Sequence, residues 1–190
     1  MSKKKVAIFA SGGGSNAESI VNYFQDHEKI DITLFLTNNA DAGVIARGKK
    51  LNIPTLVFSK KNFAHSDVVV QLLKNQQIDF IVLAGFLWLI PESLIQAFPG
   101  KIINIHPALL PKYGGKGMWG HHVHEAVVAN KEKESGITIH YVNQNYDEGE
   151  IIFQKSCAIE ETDNPEEVAA KVLNLEHYHF PRVIEQCLTN

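Results

Sequence analysis

Cysteine is nearly absent: Cys157 and Cys187 are the only two in 190 residues, and they lie far apart outside any Cys-x-x-Cys pattern. That excludes a disulfide framework and a four-cysteine zinc site. An excess of positive charge is also missing. The formal net charge is -3 and the pI is near 6.3, so no global attraction holds this surface to nucleic acid or to anionic lipid. No apolar run approaches the roughly 18 to 20 residues of a membrane-spanning helix. The basic opening Ser2-Lys3-Lys4-Lys5 is followed only by Val6-Ala7-Ile8-Phe9-Ala10 before glycines intervene. That run is too short for the apolar region of a signal peptide and reads as a first strand. Repeats, linkers and low-complexity stretches are lacking too. These absences point to a single domain over residues 1–190, cytoplasmic, with small molecules as its partners and neither nucleic acid nor membrane.

Hydrophobic residues make up 45% of the chain and charged ones 21%, enough to build one substantial core. Short β-branched runs alternate with longer amphipathic stretches, the pattern of βαβ units around a parallel sheet. Strands are predicted at 5–10, 31–37, 55–58, 80–84 and 101–105, and helices at 15–25, 42–51, 64–75 and 91–98. The continuously apolar Phe80-Ile81-Val82-Leu83-Ala84 predicts a central strand covered on both faces. After Pro107 a Pro- and Gly-rich loop leads to a short helix near 121–130. Two further strands, at 136–142 and 151–159, are close enough to pair antiparallel. A last helix follows Asn164-Pro165-Glu166, with Asn164 or Asp163 as its cap and proline in its first turn. The expected fold is α/β: an open twisted sheet, mostly parallel with an antiparallel C-terminal pair, and helices on both faces.

Four segments carry candidate chemistry. The first strand ends in Ser11-Gly12-Gly13-Gly14-Ser15-Asn16 and enters a helix, so unhindered backbone N–H groups at a helix N-terminus can cradle a phosphate. The run lacks the Gly-Lys-Ser/Thr of a P-loop, and Ala17 breaks the dinucleotide fingerprint. A tight turn that binds nothing is the plain alternative. Asn104-Ile105-His106-Pro107 closes the fifth strand, at the sheet edge where ligands of open parallel sheets bind. Strand alternation sends Asn104 and His106 to the same side. Tyr146-Asp147-Glu148-Gly149-Glu150 is either an acidic turn or a carboxylate folded back on His106, where it would raise the imidazole's pKa. Leu83-Ala84-Gly85-Phe86-Leu87-Trp88-Leu89-Ile90 leaves the central strand as an apolar loop able to wall a slot for a flat heterocycle.

Taken in order, Gly14-Ser15-Asn16, Ala84-Gly85-Phe86, the run Asn104-Ile105-His106-Pro107-Ala108-Leu109-Leu110-Pro111-Lys112-Tyr113, Thr138-Ile139-His140 and the Asp147 turn cover nearly the whole chain. This set resembles the folate-dependent formyltransferase superfamily, and within it the phosphoribosylglycinamide formyltransferases, the branch to which the phosphate loop points. The resemblance implies that Asn104, His106 and Asp147 are catalytic. It implies that Gly12, Gly13, Gly14, Ser15, Asn16 and Glu176 hold the phosphoribosylglycinamide acceptor. It further implies that Leu87, Trp88, Leu89, Ile90, Asn104, Asn143, Gln144, Asn145, Tyr146 and Asp147 hold 10-formyltetrahydrofolate. The expected reaction is metal-free attack of the acceptor amine on the formyl carbon through a tetrahedral intermediate, with Asn104 and a protonated His106 facing its oxygen. A homodimer is left open.

Two departures stand out: Trp88 and Ser66 occupy positions where relatives carry arginine. The segment from Gly114 to His124 is longer and richer in histidine than its counterparts. Alternatives of other classes are a sister formyltransferase or formyltetrahydrofolate hydrolase, a nucleotide-binding oxidoreductase, a zinc hydrolase built on His121, His122, His124 and His140, and a non-catalytic phosphate-binding module. Turnover that depends on the acceptor, together with metal analysis, separates them.

Overall fold

A computed structural model describes residues 2–64 and 67–189. Seven strands form one sheet: β1 (Lys4–Phe9), β2 (Ile30–Thr37), β3 (Thr55–Val57), β4 (Phe80–Leu83), β5 (Ile102–His106), β6 (Glu134–Tyr141) and β7 (Ile151–Ala158). Their spatial order is β3-β2-β1-β4-β5-β6-β7, which puts the wholly apolar β4 in the middle, as its composition predicts. The first five strands are parallel, while β6 pairs antiparallel with both β5 and β7. The mixed sheet expected from the short connection before β7 is therefore observed.

Seven helices accompany the sheet among the described residues: α1 (Ser15–Phe24), α2 (Gly43–Leu51), α3 (Lys60–Ala64), α4 (Val68–Asn75), α5 (Glu92–Ala97), α6 (His121–Ala129) and α7 (Pro165–Thr189). Of the helix predicted over 64–75, α4 accounts for 68–75; α3 precedes it and shares only Ala64, and residues 65 and 66, Ser66 among them, lie outside the described residues. Alternation along β1 divides the core. Val6, Ile8 and Ala10 face one layer with Ala17 and Ile20 of α1, Val123 of α6 and Phe180 of α7. Ala7 and Phe9 face the other with Phe63, Val69, Leu73 and Leu94 from α3, α4 and α5. Helices thus cover both faces, as a period-two strand buried on both sides requires.

The start of α7 shows how local sequence sets an element boundary. Asn164 Oδ1 accepts the Glu167 N–H at 2.9 Å, and Glu167 Oε2 accepts the Asn164 N–H at 2.8 Å. This reciprocal capping box satisfies helix-end donors, and Pro165 occupies the first turn where its missing N–H is no loss. Such a start fixes where α7 begins, and the helix then runs back across α1 and β6 to bring Glu176 over the glycine turn. Among the described residues no helix is long and apolar enough to cross a membrane.

Candidate active site

The carboxyl ends of β1, β4 and β5 open into a cavity of about 760 Å³, with Ser11, Gly12, Gly85, Asn104 and His106 on its floor and α7 above it. This is where strand ends of an open parallel sheet place a ligand. Gly14 precedes α1 with φ 75° and no side-chain cap, so the first N–H groups of the helix stay free of capping side chains. A Cβ on Gly14 would also lie 2.8 Å from the Val44 side chain, whereas at Gly12 and Gly13 a Cβ would meet open space. Gly14 alone is therefore demanded by the backbone itself. Gly12 and Asn16 line the cavity; Gly13, Gly14 and Ser15 build the turn without lining it.

Asn16 reaches across to α7, where its Nδ2 donates to Glu176 Oε2 at 2.7 Å. Burial raises the Glu176 carboxyl to about 7, against which the Asn16 hydrogen bond acts only partly. Asn16 Oδ1 is sealed from solvent and has no partner in the described structure. The pair presents unused hydrogen-bonding capacity beside the glycine turn.

At the other end of the cavity the two predicted segments meet. His106 Nδ1 lies 3.5 Å from Asp147 Oδ2, and Asn104 Nδ2 donates to Asp147 Oδ1 at 3.4 Å. Asp147 adopts φ 57°, a conformation that Asp tolerates better than most residues, and this turns its carboxylate inward. Gly115 N–H donates to Asp147 Oδ2 at 2.9 Å, tying the glycine-rich strap to the acidic turn. Burial pushes the Asp147 carboxyl up, but a hydrogen bond from His140, the charge of His106 and the Gly115 N–H outweigh it and hold the group below its ordinary value.

His106 departs from expectation in its net ionisation. Asp147 does favour the imidazolium, as the residue types suggest, but burial acts more strongly in the opposite sense and leaves the pKa below its ordinary value. The ring is 3% exposed, so desolvation of a charge dominates one neighbouring carboxylate. Its Nε2 lies 2.7 Å from the Tyr113 carbonyl oxygen, which can only accept, so Nε2 carries a hydrogen. Nδ1 remains the ring atom that gains or loses a proton, and it is the atom facing Asp147.

His140 is a member of this centre that the sequence reading placed in the Thr138-Ile139-His140 segment and in the zinc alternative, but not among the site residues. It stands directly opposite Asn104 in the β5–β6 register, and its Nε2 lies 3.1 Å from Asn104 Nδ2 and 3.6 Å from Asp147 Oδ1. The available signal was the matched alternation of Asn104-Ile105-His106 with Thr138-Ile139-His140, which puts all four polar residues on one face once the strands pair. Thr138 anchors the following loop: its hydroxyl donates to the Ala108 carbonyl at 2.6 Å and accepts the Leu110 N–H at 3.0 Å. The histidines of the zinc alternative do not converge. His121 and His122 pair with Glu125 on the outside of α6, and the described residues hold no group of three His, Cys, Asp or Glu able to bind a metal.

A second cavity of about 530 Å³ adjoins the first through Tyr146, which lines both. Trp88, Leu89, Ile90, Phe63 and Gln144 wall it, while Leu87 turns into the first cavity. The 87–90 segment and the acidic turn thus face each other across a cleft. Trp88 is held by an aromatic cluster, with Phe63 and Phe86 at 6.0 and 6.4 Å. Asn143 and Asn145 line neither cavity. Asn143 Oδ1 accepts the Asn145 N–H, and both amides bond Glu148, so they shape the turn that carries Asp147.

An open mixed sheet carries an Asn-x-His strand end, an inward carboxylate and a glycine turn around one cavity, and comparison with known proteins gives the family. The formyl transferase family profile matches residues 4–184, and the chain belongs to that family. A chloroplastic phosphoribosylglycinamide formyltransferase from Arabidopsis thaliana is 44% identical over 188 residues, covering 96% of this chain and 64% of the relative. The chain spans a similar share, 60%, of the Vigna unguiculata relative. A phosphoribosylglycinamide formyltransferase from Bacillus subtilis is 38% identical, covering 97% of this chain and 95% of its own length. The crystal structure of the Bacillus halodurans protein of that description superposes with a TM-score of 0.88 at 37% identity, over 98% of this chain and 96% of that one.

Proposed function

We propose that this protein transfers a formyl group from 10-formyltetrahydrofolate to the amine of 5'-phosphoribosylglycinamide, a step of purine biosynthesis, and that residues 1–190 act as a single formyltransferase domain. The carrying observation is the meeting of Asn104, His106 and Asp147 within 3.5 Å contacts at one end of a cavity whose other end is the Gly12–Asn16 turn. The two cavities sharing Tyr146 also suit a co-substrate that is long, flat and partly apolar.

In this reading Asn104 and His106 hold the formyl oxygen as it becomes negative. Asn104 releases its long contact to Asp147 to do so. The amine sheds one proton to the Asp147–His106 pair, and the same pair returns one to the folate nitrogen as its bond to carbon breaks. The proton balance over the cycle is zero, consistent with an imidazole whose free ring is mostly neutral and whose Nδ1 faces a carboxylate. Gly12 to Asn16 and Glu176 receive the phosphoribosyl portion. Leu87 to Ile90, Gln144 and Tyr146 receive the folate, with Asn143 and Asn145 supporting the turn. The partners are small molecules rather than nucleic acid, the location is the cytoplasm, and a homodimer is compatible with the chain.

The test is a spectrophotometric assay with a 10-formylfolate donor, run with and without phosphoribosylglycinamide. Formyl transfer that requires the acceptor is the expected result. Deformylation at the same rate in plain buffer would instead make the protein a hydrolase, and no reaction in either arm would end the proposal.

A further inference from the structure

One buried histidine in the first cavity has no part in the chemistry described so far. His124, in the opening turns of α6, is 6% exposed and lines the cavity shared by Gly12, Asn16 and His106. Its Nδ1 is sealed from solvent without a partner, and its Nε2 likewise makes no hydrogen bond but is not sealed. Burial, with the charges of His121 and His106 acting in the same direction, pushes its pKa down to about 4. The ring is therefore neutral near pH 7, with one donor nitrogen and one acceptor.

The tautomer follows from which vacancy is less costly. A sealed N–H without an acceptor is rarer in folded proteins than a lone pair without a donor. Nδ1 accordingly keeps the lone pair, and Nε2 presents its hydrogen to the cavity. Because Nε2–H is not sealed and no protein group accepts it, a ligand oxygen in the cavity can accept this hydrogen in place of water, at the modest net gain of one hydrogen bond.

We propose that His124 is an acceptor-binding residue, its Nε2–H donating to the amide carbonyl oxygen of the glycinamide group. This rests on the reading of the site given above. Position favours the acceptor: His124 lines the cavity that holds Gly12, Asn16 and Glu176, the residues assigned to the acceptor, and has no part in the one walled by Trp88, Leu89 and Gln144. His124 lines the same cavity as His106, beside which the acceptor amine would react, and the amide carbonyl next to that amine is an uncharged oxygen. A neutral donor suits that oxygen and adds no charge to compete with His106 for its proton.

The experiment compares wild type with His124→Phe, which keeps ring volume and removes both nitrogens, and His124→Gln, whose terminal amide can replace Nε2–H. The expected result for His124→Phe is a rise of roughly 10-fold in KM for phosphoribosylglycinamide, an unchanged KM for the formyl folate, and a Tm that does not fall because the sealed, unpartnered Nδ1 is gone. His124→Gln should recover most of the loss. In wild type labelled with ¹⁵N-histidine, phosphoribosylglycinamide alone should shift the His124 Nε2 resonance. An unmoved resonance, or a His124→Phe enzyme with unaltered acceptor KM, overturns the assignment, as does a loss shared equally by both substrates. Wild type that neither binds nor formylates this acceptor would overturn the parent reading, and this assignment with it.

Discussion

Replacing Asp147 by Asn isolates the charge at the reacting centre while keeping shape. The left-handed backbone at Asp147, φ 57°, is equally open to Asn, and the Gly115 N–H can still be accepted by an amide oxygen, so the fold should survive. What disappears is a negative charge 3.5 Å from His106 Nδ1. Two unit charges about 4 Å apart attract by about 4 kcal/mol at an effective dielectric near 20. Losing about two thirds of that when the imidazole must become charged lowers the rate about 100-fold, since about 1.4 kcal/mol is tenfold. The expected outcome for Asp147→Asn is thus a fall of about 10²-fold or more in turnover at saturating folate, with Tm nearly unchanged. The pKa of His106, already depressed by burial, should fall further, because the carboxylate is the main influence raising it. Stopped assays for the rate and histidine NMR titration for the pKa check both. A mutant of wild-type rate, or a His106 whose pKa stays put or rises, would refute the pairing and turn attention to Glu148 and Glu150.

Three further outcomes are expected. Gly14→Ala should lower stability by about 1 to 2 kcal/mol for the left-handed backbone alone and more from the contact with Val44, and so lower Tm, while Gly13→Ala should leave Tm unchanged; thermal melts that rank them the other way would contradict the geometry. Leu89→Asp places a charge in the wall of the second cavity at a side chain 43% exposed, so folding should persist while affinity for a folate analogue, read by fluorescence quenching, falls roughly 10-fold. Glu176 is raised to about 7, so its proton binding favours the folded state below the ordinary carboxyl pKa, and that support is lost as pH rises through 7. Glu176→Gln should therefore add up to about 3 kcal/mol of stability at pH 8, seen as a higher Tm, show no gain at pH 4, and weaken acceptor binding; equal Tm gains at both pH values would mean that the carboxyl is not the cause.

Local sequence was sufficient wherever short-range physics decides. The short apolar run of β1, the unbroken apolar run of β4 and the Asn164–Glu167 capping box announce strand, central position and helix start, because each depends on residues close together in the chain. Asn104 and His106 were legible as a pair for the same reason. Only the tertiary structure could decide what meets them. The β5–β6 register brings His140 opposite Asn104, the left-handed backbone at Asp147 aims its carboxylate inward, and the strap at Gly115 closes on it. The sign of the net shift at His106 is likewise a tertiary fact. Residue types name the Asp147 charge that raises it, but burial by chain segments distant in sequence supplies the larger, opposing effect. His124 belongs with these: as a letter it is one of several histidines near the start of a helix, and it becomes a candidate ligand contact because folding seals its Nδ1 without a partner and puts the residue in the cavity wall.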